Sequence, residues 1–159
     1  MACPYFSPTD PLPWKFWRGR LRPPLGELYD GHCSAGPTQP YRPSTGHLAE
    51  CCNLGYARGK CDRMPAGGPD AVRFSVTKRA GTADRVIQVI ETEGQLDDSD
   101  SVEFEASGQV QLSAAGSPAI ERQAEAFLRS YLRAAQEPQT RLTLSANVQH
   151  TENSSCTPQ

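Results

Sequence analysis

No stretch of this chain approaches the roughly 18 consecutive apolar residues that a membrane helix requires, so no membrane partner is expected. The opening Met-Ala-Cys-Pro-Tyr-Phe has neither a basic n-region nor an apolar core, and a cytoplasmic protein rather than a secreted one is the expectation. No GxGxxG, P-loop, GxSxG or HExxH motif occurs, which removes the usual carriers of dinucleotide, nucleoside-triphosphate, serine-hydrolase and zinc-protease chemistry. Carboxylates are plentiful, but none sits in an evidently apolar setting that would tune it for acid–base work. A global basic field is also missing: the formal net charge is -2, which argues against nucleic acid as a partner. Cys-x-x-Cys, the knuckle that lets two ligands share one turn in structural zinc sites, is absent as well.

What is present is cysteine, in an unusual place. Five of the six cysteines (Cys3, Cys33, Cys51, Cys52 and Cys61) lie in the first 61 residues, together with most of the 14 prolines. Each proline fixes its own φ and biases its predecessor away from helix, so long regular elements are not expected before Ser44. Yet Tyr5, Phe6, Trp14, Phe16, Trp17, Leu21, Leu25, Leu28 and Tyr29 are interleaved with these prolines, and disordered segments are poor in aromatics. An ordered but irregular wrap is therefore predicted, and a metal centre is one way to hold such a wrap together. In a reducing compartment, clustered thiols point to metal or redox chemistry rather than to disulfides.

Four of these thiols, Cys3, Cys33, Cys52 and Cys61, are the candidate metal ligands. Soft thiolates converging from separate loops suit an iron–sulfur cluster, possibly 4Fe-4S, whose bulk can be reached from several segments. Zinc is the alternative, weakened by the missing knuckle. Cys3-Pro4 resembles the Cys-Pro step that ends the bacterial ferredoxin run. Gly31, Gly55 and Gly59 lie near ligands and could admit a close backbone approach. Between the vicinal pair, Cys52 is preferred to Cys51 because it shares a helical row with Leu48 and Tyr56. Plain burial also competes, since free cysteine is among the most buried residue types. A thiol enzyme is a further alternative, using Cys33 beside His32 or Cys51 four residues after His47. Either histidine could replace a cysteine as a ligand, and Cys156 reads as a free thiol in a polar tail.

The rest of the chain has clearer periodicities. Ser44 or Thr45 can cap a short helix that stops by Gly59, its inward stripe being Leu48, Cys51 or Cys52, Gly55 and Tyr56. Gly67-Gly68-Pro69-Asp70 breaks the chain. Strands follow around Val72–Val76, Arg85–Glu91, Val102–Ala106 and Val110–Leu112, with connections short enough for an antiparallel meander. Ser117-Pro118 then starts an amphipathic helix on Ile120, Ala124, Phe127, Leu128, Tyr131, Leu132 and Ala135, ending near Pro138. Alternating Leu142, Leu144, Ala146 and Val148 suggest a late edge strand.

Two charged stretches complete the reading. Trp14-Lys-Phe-Trp-Arg-Gly-Arg-Leu-Arg22 interleaves aromatics with cations, a mix that can stack on bases but is read here as aromatics packed under the wrap with their charges in solvent. The acidic run from Glu91 to Glu105 lacks calcium-loop spacing and reads as a solvated loop and strand face. Residues 1–79 hold eleven Lys/Arg against six Asp/Glu, the remainder five against twelve. The expectation is thus an α+β protein: an irregular Cys/Pro-rich metal-binding segment with one short helix (residues 1–69), a β-meander of about four strands packed by one C-terminal helix (residues 70–137), and a polar tail (residues 138–159). Its expected role is redox or accessory, with a redox or protein partner. A zinc-stabilised interaction module without catalytic activity is the alternative.

Overall fold

The computed structural model describes residues 1–16, 22–36, 40–77, 85–104, 110–111 and 117–148. Trp17, Arg18, Arg20 and Leu21, residues 78–84 and 105–109, and Cys156 lie outside the described residues. In order, the chain forms β1 (Phe6–Pro11), β2 (Tyr29–Cys33), α1 (Thr45–His47) widening into a π turn over Leu48–Cys52, then β3 (Ala71–Thr77), β4 (Arg85–Thr92), β5 (Gln95–Phe104), β6 (Val110–Gln111) and α2 (Pro118–Val148). The α+β class and the meander are as expected: β3-β4-β5-β6 form one antiparallel sheet in sequence order. No helix among the described residues is long and apolar enough to cross a membrane.

Alternation creates the meander. In β3, Ala71, Val72 and Phe74 are buried while Arg73 is exposed, so one face of the strand joins the core. β3 pairs with β4 without interruption from Ala71 opposite Glu91 to Thr77 opposite Arg85. Helix α2 begins where Ser117 offers its carbonyl to the Ile120 and Glu121 amides, at 2.9 and 3.1 Å. Its buried residues Ile120, Ala124 and Leu128, with half-buried Phe127, Tyr131 and Leu132, follow the predicted stripe. Each large member contributes about 1.5–3 kcal/mol when fully buried. Phe127 stacks on Phe74 with ring centroids 5.7 Å apart. Ala135, placed on the same stripe from the sequence, is exposed.

Three local expectations are corrected. The helix does not end near Pro138, and Leu142 to Val148 are helical rather than a strand; Ala134 to Glu137 are strong helix formers, and a short alternating run does not exclude a helix. Before Ser44 the prolines do not prevent regular pairing: β1 and β2 form a two-stranded ribbon, Phe6 opposite Cys33 and Pro8 opposite Gly31. A ribbon of two edges accommodates proline because an outward-facing N–H has no partner to lose. Finally, Trp14 and Phe16 are not packed under the wrap; they are 57% and 38% exposed.

The N-terminal region and the meander share one core. Ala2, Cys3, Phe6, Leu25, Tyr29, Leu48 and Cys52 belong to the same buried cluster as Val72, Phe74, Ile120, Ala124 and Leu128. Helix α2 lies chiefly on β1 and also touches β3 and β4. Ala2 and Val72 exchange backbone hydrogen bonds of 2.7 and 2.9 Å, tying the start of the chain to the edge of the sheet.

Candidate metal centre

The β1–β2 ribbon brings the first two thiols together. Because Phe6 pairs with Cys33, Cys33 comes alongside the turn in which Phe6 N–H donates to Cys3 O at 3.1 Å. Cys33 also exchanges two backbone hydrogen bonds with Tyr41, 2.7 and 3.0 Å. The third anchor is backbone to backbone: Cys3 N–H donates to Cys52 O at 3.1 Å. Cys61 enters from a turn in which its N–H bonds Ala57 O at 2.8 Å. Arg58 and Asp70 close the loop that carries it, and Arg58 Nη1 donates to Pro65 O at 2.9 Å.

The result is convergence. Cys3, Cys33, Cys51, Cys52 and Cys61, with His47, line a single enclosed cavity. All four candidate ligands are there, from four separated stretches of chain. Cys51, set aside from the sequence, is there too, and the π turn explains why. Asn53 N–H reaches back to Leu48 O at 2.9 Å, an i→i+5 bond, which widens the turn. Cys51 and Cys52 are both buried. Tyr56 does not share their stripe: its φ is +53°, the residue is exposed, and its hydroxyl donates to Glu91 Oε2 at 2.9 Å.

Two buried amides that the sequence did not signal hold this geometry. Asn53 is fully buried; its Oδ1 accepts from Tyr29 N–H at 2.9 Å, and its Nδ2 donates to Tyr29 O and Leu48 O, both at 3.0 Å. It joins the end of the π turn, next to Cys52, to the strand carrying Cys33. Gln123 on α2, equally buried, donates from Nε2 to Cys3 O at 2.8 Å and Phe6 O at 2.6 Å. Gly55 has a packing reason of its own. At φ +69° a Cβ there would stand 2.3 Å from Met1 O, so only glycine lets the N-terminus cross here.

The cavity disfavours bare thiolates. Burial, reinforced by the neighbouring cysteines, pushes the Cys3 thiol up to about 12, the facing Tyr5 backbone N–H offsetting part of the effect. Burial and then the Cys3 and Cys33 sulfurs push Cys52 higher still, and burial and Cys61 raise Cys51. Negative charge at one sulfur opposes it at the others, and a bound cation would reverse that balance. As for the imidazoles, His32 is exposed, while His47 Nε2 lies 3.2 Å from Cys61 Sγ. The histidine thus pairs with Cys61 rather than with Cys51.

The donor set, four buried thiols with the half-buried Cys61 and His47, fits a soft metal. The space between the side chains is small, about 10 Å³, room for one water-sized body. Among the described residues, no three His, Cys, Asp or Glu side chains are drawn tightly enough to hold a single metal ion as they stand. Compared with known protein families, curated proteins and solved structures, the chain matches none.

Proposed function

We propose that the protein binds a metal centre, an iron–sulfur cluster, through Cys3, Cys33, Cys52 and Cys61, in a redox or accessory role. The observation that carries the reading is the meeting of these thiols, from separate stretches of chain, in one enclosed cavity. Plain core packing would not require five of the six cysteines at one place. The dispersed origin of the thiols favours a cluster over zinc, because a structural zinc site gains from two ligands on one turn. The bound group would supply electron transfer or structural cross-linking; the chain supplies four thiolates, an apolar enclosure and the amides that fix the ligand loops.

Anaerobic purification of the full chain, followed by iron, acid-labile sulfide and zinc analysis, tests this. Iron and sulfide in near-equal amounts, lost when any one of the four cysteines is replaced by serine, are expected. Stoichiometric zinc without iron would turn the reading to a zinc-stabilised interaction module. A folded, colourless, metal-free chain would sink both.

The 3.2 Å contact of His47 with Cys61 favours a second reading, a thiol enzyme that uses Cys61 in place of Cys33 or Cys51. It predicts that Cys61 of the metal-free chain is alkylated faster than the other thiols, and that His47→Ala abolishes the difference.

A further inference from the structure

One side-chain N–H at the cavity has no hydrogen-bond partner among the described residues. Arg63 lines the same enclosure as the cysteines, two residues beyond Cys61. Its Nε is buried and, among the described residues, meets no acceptor. The guanidinium lies over the Tyr41 ring, Cζ to centroid 4.3 Å, and Tyr41 is bonded through its backbone to Cys33 in both directions. The cation thus lies over a ring whose backbone is paired with that of Cys33 at the cavity wall. A desolvated guanidinium N–H without an acceptor is costly and calls for an explanation. Of the polar side chains lining this cavity besides Arg63 itself, only the cysteines, His47 and Tyr41 offer acceptors. His47 Nε2 is already engaged with Cys61, and Tyr41 presents its ring. The acceptors that remain are sulfurs. A neutral thiol accepts weakly, whereas a thiolate or inorganic sulfide accepts strongly from a charged donor.

We infer that Arg63 is a positioning residue for an anionic metal–sulfur centre, its Nε–H aimed at a cysteine thiolate or sulfide of that centre. The inference rests on the metal-binding reading and adds to it the residue that sets the centre's electronics. Hydrogen bonds to cluster sulfurs and nearby charge shift reduction potential. Reduction adds one electron, makes and breaks no bond, and leaves the centre more negative, so a fixed cation with an N–H donor stabilises the reduced state.

The test is a potentiometric titration of the full chain, reconstituted anaerobically with ferrous iron and sulfide and reduced with dithionite. Arg63→Gln should retain the wild-type iron and sulfide content while its reduced-to-oxidised ratio at a fixed potential falls about tenfold, equivalent to about 59 mV for one electron. Arg63→Lys, which keeps charge but not the planar donor, should fall part of the way. Tyr41→Leu, which removes the ring but leaves the guanidinium, should fall less than Arg63→Gln. An unchanged potential in Arg63→Gln, or an equal fall in Tyr41→Leu, overturns the assignment while leaving metal binding intact. Should Arg63→Gln fail to hold iron, Arg63→Lys decides: an unchanged potential there overturns the assignment. A wild-type chain that takes up no iron and sulfide overturns the metal-binding reading itself.

Discussion

Over Ala71–Thr77 and Arg85–Glu91 the backbone is held by a ladder in which every residue of β3 faces one of β4. Before residue 70 only the short β1–β2 ribbon pairs in this way, and the remaining tasks fall largely to individual side chains. Asn53 takes the place of a neighbouring strand for Tyr29, Gln123 serves two carbonyls of the Cys3 turn, and Arg58 braces the loop around Cys61. A ladder tolerates the loss of one rung because its neighbours remain. A set of single bonds has no such redundancy, and each removal leaves buried backbone groups unpaired. The contrast shows what thiol convergence costs: Cys52 and Cys61 arrive on turns, outside the short ribbon that places Cys33 beside the Cys3 turn.

The largest test of this contrast is removal of metal. A ligand bound at about 100 to 1,000 times its Kd contributes about 3–4 kcal/mol. Chelation should therefore lower Tm by roughly 10 °C or more. By hydrogen exchange, amides of β1, β2 and the π turn should lose protection first, those of β3 and β4 last. Uniform loss across both regions would break the comparison. Next in size is Asn53→Ala, which strands Tyr29 N–H, Tyr29 O and Leu48 O and should cost roughly 3 kcal/mol, read from chemical denaturation of the metal-free chain. Removing a single side-chain partner from the β3–β4 ladder should cost far less.

A third test is one of pH. In the unfolded chain a thiol titrates near its ordinary value of 9.0, whereas Cys3 in the folded chain is pushed up to about 12. A raised folded value means that the stabilisation is fully present below about pH 9 and is lost as pH rises toward 12. The metal-free protein should lose stability through that window, and Cys3→Ala should flatten the slope. Metal-loaded protein, with its thiolates already formed and neutralised, should not follow the same curve.

How much of this was legible in sequence follows the same divide. The meander and the start of α2 could be read because their signals are local: alternation at Val72, Phe74 and Val76, and Ser117-Pro118 before a three- and four-residue stripe. That Cys3, Cys33, Cys52 and Cys61 are candidate ligands was legible from residue type alone. Their scaffold was not. Nothing near Asn53 or Gln123 announces a partner 24 or 120 residues away, and a single polar residue in an apolar stripe looks like any other interruption. The π turn was missed because ordinary helical spacing forces a choice between Cys51 and Cys52, whereas an i→i+5 bond allows both to be buried. The extension of α2 past Pro138 was missed because proline was given more weight than the helix formers before it.

The Gln123 clamp also has a consequence in time. Synthesis proceeds from the N-terminus, so Cys3, Cys33, Cys52 and Cys61 all leave the ribosome well before the residue that fixes the Cys3 turn. Until α2 exists, the first ligand loop lacks its anchor and the thiols are exposed to oxidants and stray metals. The Cys3 turn is therefore complete only once α2 has been made, and a cell that makes this protein has five nascent thiols to keep reduced in the interval.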